Sequence, residues 1–211
     1  MHLSKEEHNG ARSHPGPKTN ITTEELNSLP LKAFEGKVSL ITELSKLPAI
    51  VREIEKHKIV GFDTETRPSF KRGQVFKVAL LQLALPHKVF LFRMHQTGLP
   101  QEIVSIFQNS EIIKAGVAIR DDIKALQKVS RFHPASFIEL SAMAKASGLQ
   151  VESVKKLAGL LLGFRISKSA QTSNWEAANL TEKQLEYAAT DAWVCLEIYK
   201  HLHRNFNPLK F

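Results

Sequence analysis

Polar residues fill the chain up to about position 30, where "SHPGPKTN" breaks any regular element and only "TTEELNSL" could make a helical turn. Residues 1–30 therefore read as a disordered tail, and 31–211 as one domain. In "GKVSLIT" the apolar Val38 and Leu40 recur at every second position, the period of a strand. "ELSKLPAIVREIEKH" follows as a helix, with Ile50, Val51 and Ile54 at helical spacing. Three β-rich runs come next, "IVGFDTET", "FKVALLQLAL" and "KVFLFRM", and their succession predicts an antiparallel meander.

Beyond the meander the pattern alternates. "LPQEIVSIFQNS" reads as a helix, "IIKAGVAI" as a buried strand and "DDIKALQKVS" as a helix opening on acids. "SFIELSAMAKASG" is a strand running into a helix that stops at Gly148, and "VESVKKLAGLLLG" a helix stopped at Gly163. A last long helix starts at the capping box of Thr181 and Gln184 and runs to about His203. A meander followed by βα units gives an α/β fold with a mixed β-sheet flanked by helices.

Composition narrows the setting. A hydrophobic content of 43% suits a globular domain. No apolar run approaches the ~20 residues of a membrane span, and "LAGLLLGF" is too short to be one. "MHLSKEEHNG" has no apolar signal region, and the single Cys195 fits a reducing compartment, so a cytoplasmic protein is expected. The net charge of +8 points to a polyanionic partner, although a basic domain with no nucleic-acid role would have the same charge.

Three short stretches place acids where a fold does not ordinarily want them. Asp63 and Glu65 lie two apart at the end of an apolar strand, hence on one face. Asp121 and Asp122 follow the buried run "AGVAI". Tyr187 and Asp191 are four apart on a helix, on a stripe continued by Val194 and Ile198, so they face protein. Singly, each has an ordinary reading: a solvated strand end, a helix cap, a surface pair. Together they imply a positive charge to be accommodated. Hard divalent cations take carboxylate oxygens, and a pair of them can clamp a phosphodiester displacement.

The order "FDTE … RDD … YAATD" resembles the DEDDy group of 3′→5′ exonucleases in the ribonuclease H-like superfamily. The resemblance is nearest to the Werner syndrome protein's exonuclease domain and its bacterial relatives. "IVGFDTE", "KVALLQLA", "SNW" and "LTEKQLEYAATDA" match in order across residues 34–203. The resemblance implies a ribonuclease H-like exonuclease fold and a two-metal-ion mechanism using Mg²⁺ or Mn²⁺. It also implies a substrate of nucleic acid with a free 3′ end, DNA favoured. Asp63, Glu65 and Asp191 would hold one metal, Asp63 and Asp122 the other, and Tyr187 would orient the attacking water. Aligning the doubled acid puts Asp122 in the site and leaves Asp121 as the helix cap. A catalytically idle nucleic-acid-binding relative and an RNA-processing enzyme of ribonuclease D type are the alternatives.

Arg67, Lys71 and Arg72, in a loop after the first acids, are candidates for phosphate contacts, as are Lys168 and Gln171 before "SNW". Trp175 and Trp193 could stack on bases, but packing is the expected role, as it is for Cys195. His201 and His203, two apart, diverge on a helix and make no zinc pair.

Overall fold

The computed structural model describes residues 18–68 and 76–206. In chain order the elements are α1 (Thr23–Ser28), β1 (Lys37–Ile41), a short 3-10 turn (Leu44–Lys46) and α2 (Leu47–Ile54). The meander strands β2 (Ile59–Thr66), β3 (Val78–Leu85) and β4 (Lys88–Arg93) follow, then α3 (Met94–Thr97) and α4 (Gln101–Gln108). The last part holds β5 (Ile113–Gly116), α5 (Ile119–Gln127), β6 (Phe137–Glu139), α6 (Leu140–Ala146), α7 (Val154–Leu162) and α8 (Glu182–Phe206).

The strands form one mixed sheet in the order β1-β4-β3-β2-β5-β6. β2, β3 and β4 pair antiparallel, as the succession of β-rich runs implies, while β5 and β6 add in parallel beside β2. β1 pairs in parallel with β4 at the far edge. Alternation along the strands sorts the two faces. Phe62, Leu81, Leu83, Phe90 and Phe92 turn toward α2, α4 and α5 and share one core with Ile54, Phe107 and Leu126. On the other face, Leu80, Ala84, Val89 and Leu91 pack with Ala188, Ala189 and Ala192 of α8.

α8 lies unusually close to β2, and Gly61 is the reason. A Cβ at Gly61 would come within 1.9 Å of the Ala192 carbonyl oxygen, so only a residue without a side chain lets the helix settle there. This close approach sets Asp191 of α8 beside Asp63 of β2.

The N-terminal boundary differs from the sequence reading, which ran a tail to about residue 30. From residue 18 the chain is packed. Thr22 and Glu25 cap α1 reciprocally, and Ile21 and Leu26 are buried against α7 at Gly159, which has no side chain to block them. The segment after α1 is fastened by backbone bonds between Arg165 and both Pro30 and Lys32. Residues 1–17 lie outside the described residues.

Candidate active site

Asp63 and Glu65 point from β2 toward α8, with the intervening Thr64 on the opposite face. The pairing of β2 with β3 shifts register between Glu65 and Thr66, a bulge of the kind that re-aims side chains at a strand end. Asp191 comes in from α8, buried to 6% exposure. Each of the three carboxylates offers an oxygen within 4.8 Å of the others. The Tyr187 hydroxyl, one helical turn earlier, donates a hydrogen bond to Asp191.

Asp122 reaches the same strand from the other side. The chain leaves β5 through Ala118, whose φ of 59° is left-handed and turns it sharply into α5. α5 then presents Asp122 to β2, where the Thr64 hydroxyl donates to Oδ1 at 2.6 Å. Asp121 faces solvent and pairs with Lys124 at 3.2 Å. It does not cap the helix, as the sequence reading had it. That task falls to Glu139, at the end of β6, whose carboxylate accepts from the backbone N–H groups of Ala118 and Ile119 at 3.0 Å each. A residue this distant in the chain can satisfy the exposed donors because β6 runs beside β5, and Asp121, already in the first turn, points the wrong way to do so.

The electrostatics show an unbalanced cluster. Burial, then the charge of Asp191, then those of Glu65 and Asp122 raise the Asp63 carboxyl well above its ordinary range. Burial and the charges of Asp191 and Asp122 push Glu65 to about 8, with Lys155 pulling the other way. Asp191 is raised by burial to about 6, moderated by the Tyr187 hydrogen bond and by Lys155. Asp122 is raised by burial, against the Thr64 hydrogen bond. The Tyr187 phenol is likewise raised, by burial and then by Asp191 and Glu65, so it holds its proton. Asp191 Oδ1 is buried without a hydrogen-bond partner. Three crowded carboxylates, one with an orphaned oxygen, form an all-oxygen donor set suited to a hard divalent cation. The residues fit the group.

Two cavities meet at this cluster. A chamber of 440 Å³ is lined by Asp63, Glu65, Tyr187 and Asp191 with Glu152 and Gln171. A groove of 590 Å³ starts at Tyr187 and Asp191 and passes Gln171 and Lys168. Lys168 and Gln171 thus line the groove that opens on the carboxylates. Arg67 lies in neither lining; it pairs with Glu176 at 3.5 Å and rests over the Phe76 ring. Lys71 and Arg72 fall outside the described residues. Trp175 is fully buried, Trp193 stacks on Phe164, and Cys195 is buried in the chamber wall within the core under α8, so all three pack. His203 stacks on Tyr199 and His201 joins no ligand cluster among the described residues. Lys155, whose ammonium lies 3.2 Å from the Gln171 side-chain oxygen, escaped the sequence reading. Its only signal was a lysine at the start of a helix, where an acid is the usual residue.

Residues 38–207 match the family model described as 3′-5′ exonuclease. The chain belongs to this family. It is 33% identical over 186 residues to the mouse bifunctional 3′-5′ exonuclease/ATP-dependent helicase WRN, covering 83% of this chain and 13% of that protein. It is also 33% identical over 170 residues to the Drosophila melanogaster exonuclease 3′-5′ domain-containing protein 2, covering 77% of this chain and 29% of the relative. The chain therefore spans well under half the length of these relatives. In fold it is similar to the EXO domain of Aedes aegypti Nibbler, with a TM-score of 0.75 at 22% identity over 85% of this chain and 94% of that one. Escherichia coli RNase D gives 0.72 at 24% identity, over 80% of this chain and 44% of the other. The ribonuclease H-like exonuclease fold expected from the motifs is thus the fold observed. No helix among the described residues is long and apolar enough to cross a membrane.

Proposed function

We propose that the protein is a metal-dependent 3′→5′ exonuclease that hydrolyses phosphodiester bonds from a nucleic-acid 3′ end and releases nucleoside 5′-monophosphates. One observation carries the reading: three carboxylates converge in a buried site whose Asp191 oxygen has no partner, beside a protonated tyrosine. Asp63, Glu65 and Asp191 would hold one divalent cation, and Asp63 with Asp122 a second, either Mg²⁺ or Mn²⁺. When bound, such ions acidify water and neutralise the charge that develops on the phosphate.

The chain's own groups do the rest. Tyr187 keeps the proton on its phenolic oxygen, so it orients the attacking water rather than removing its proton. Asp191 fixes that phenol from one turn away, and Thr64 fixes Asp122. That Lys168 and Gln171 line the groove supports their role as contacts to the substrate backbone, and Arg67, Lys71 and Arg72 are candidates from the sequence alone. DNA is the favoured substrate, from the motif resemblance to the Werner exonuclease domain, and the single buried Cys195 fits a cytoplasmic setting. An idle, scaffold-like relative would have no reason to retain carboxylates in mutual repulsion.

The test is digestion of 5′-labelled DNA and RNA, single-stranded or with recessed 3′ ends, in Mg²⁺, Mn²⁺ or EDTA, beside Asp63→Ala. A metal-dependent ladder shrinking from the 3′ end, absent in the variant, is expected, and it ranks the substrates. Full-length label in every lane, with the oligonucleotide bound in a gel shift, would transfer the protein to the scaffold reading.

A further inference from the structure

The chemistry above uses only Lys168 of a larger set of cations. The groove beside the chamber is lined by Lys155, Lys156, Arg165 and Lys168, and its one carboxylate is Asp191. The chamber is the reverse: its lining holds Asp63, Glu65, Glu152 and Asp191, with no lysine or arginine. Ser153, Val154, Gln171, Tyr187 and Asp191 line both, so the two share a wall.

Lys155 and Lys156 sit in the first turn of α7, two and three residues after its N-cap Ser153. A helix N-terminus already carries positive partial charge, which makes two ammonium groups there electrostatically misplaced. Among the described residues, none of the four groove cations forms an ion pair. Lys155 donates to the Gln171 amide oxygen and feels the charges of Asp191 and Glu65 without pairing with either, and Arg165 Nε donates to the Leu29 carbonyl at 3.1 Å. The conflict mirrors that of the carboxylates next door, with the sign reversed. An anion completes it.

The chemistry of a 3′ end says which anion belongs there. Past the scissile phosphate the terminal nucleoside carries no further phosphate, so its place can be acidic. Every nucleotide on the other side brings one charge. We propose that the groove holds the single-stranded backbone immediately upstream of the scissile phosphate, with Lys155, Lys156, Arg165 and Lys168 on its phosphates and α1 as the far wall. This rests on the exonuclease reading. Thr23 and Asn27 of α1 line the groove, and α1 is fixed there by the burial of Leu26 against α7 and by the backbone bonds between residues 30–32 and Arg165. A groove walled on both sides takes one strand.

The test is fluorescence anisotropy of a labelled single-stranded dodecanucleotide with the full chain in EDTA, across a salt series. Lys156→Glu, Lys168→Glu and Asn27→Glu are compared with Lys128→Glu, which lines a separate cavity against α5. Each groove lysine variant should weaken binding about tenfold and flatten the salt dependence by roughly 0.7 in log–log slope for every phosphate it no longer neutralises. Asn27→Glu should weaken binding too, and Lys128→Glu should do neither. Groove variants that bind as wild type would overturn the proposal, as would weakening confined to Lys128→Glu, which would route the strand across α5. Digestion by the wild type, run in parallel with Mn²⁺, separates the two readings. A 3′ ladder with indifferent groove variants removes the groove alone, whereas neither ladder nor binding removes the exonuclease as well.

Discussion

Replacing Glu65 with glutamine should stabilise the metal-free protein, and increasingly so as pH rises. Glu65 is held at about 8 in the fold against an ordinary 4.5, by burial and then by Asp191 and Asp122. The sign follows from linkage. Between those values the folded chain retains a proton that the unfolded chain has released, so stability falls as pH rises through the window and is level below it. At ~1.4 kcal/mol per tenfold change in proton affinity, the window sets a ceiling on the order of 5 kcal/mol, which Lys155 and coupling to Asp63 and Asp191 reduce. Glutamine has the same shape and no charge to lose. Urea unfolding in EDTA should therefore give equal stabilities for wild type and Glu65→Gln near pH 4.5, and a variant ahead by a few kcal/mol near pH 9. Adding Mg²⁺ or Mn²⁺ should narrow the gap, since a ligand at a hundred times its Kd contributes about 2.7 kcal/mol to the wild type and less to the variant, which has one carboxylate donor fewer. Parallel pH profiles for the two proteins in EDTA, or a wild type indifferent to millimolar cation, would refute the reasoning.

Tyr187→Phe should keep the fold and the metal-dependent rise in Tm while lowering kcat by about a hundredfold, the scale of removing one positioning group in acid–base chemistry; steady-state digestion of a labelled oligonucleotide measures it. Gly61→Ala forces a methyl group against the Ala192 carbonyl and should cost about 1–3 kcal/mol in urea unfolding, with a disproportionate drop in cation stabilisation because Asp191 moves with α8. Thr64→Val removes the hydroxyl that holds Asp122 at 2.6 Å; stability should fall by about 1 kcal/mol while turnover falls at least tenfold, read by denaturation and kinetics on one preparation.

The features legible in the sequence were those written in short windows. Asp63 and Glu65 declared a shared face through strand alternation, and Tyr187 and Asp191 did so through helical spacing. The meander was readable because its strands are adjacent in sequence and separated by turn residues. Pairings made at a distance were not. Nothing local to Glu139 says that its carboxylate will cap α5, and nothing in the edge strand β1 names β4 as its partner. α1 looked like part of a polar tail because Ile21, Leu26 and Leu29 are its apolar anchors, too few positions to form a pattern. Lys155 went unnoticed because its role depends on Gln171, which the loop after α7 brings back to it.

The grip of α8 on β2 at Gly61 also has a temporal meaning. All six strands precede α8 in the chain, and both Tyr187 and Asp191 arrive with it. Every strand, and with them Asp63, Glu65 and Asp122, therefore emerges during synthesis before the helix that completes the carboxylate cluster. A chain shortened ahead of α8 would keep all six strands yet lack both Tyr187 and Asp191, so the cluster is complete only once that helix has settled on Gly61.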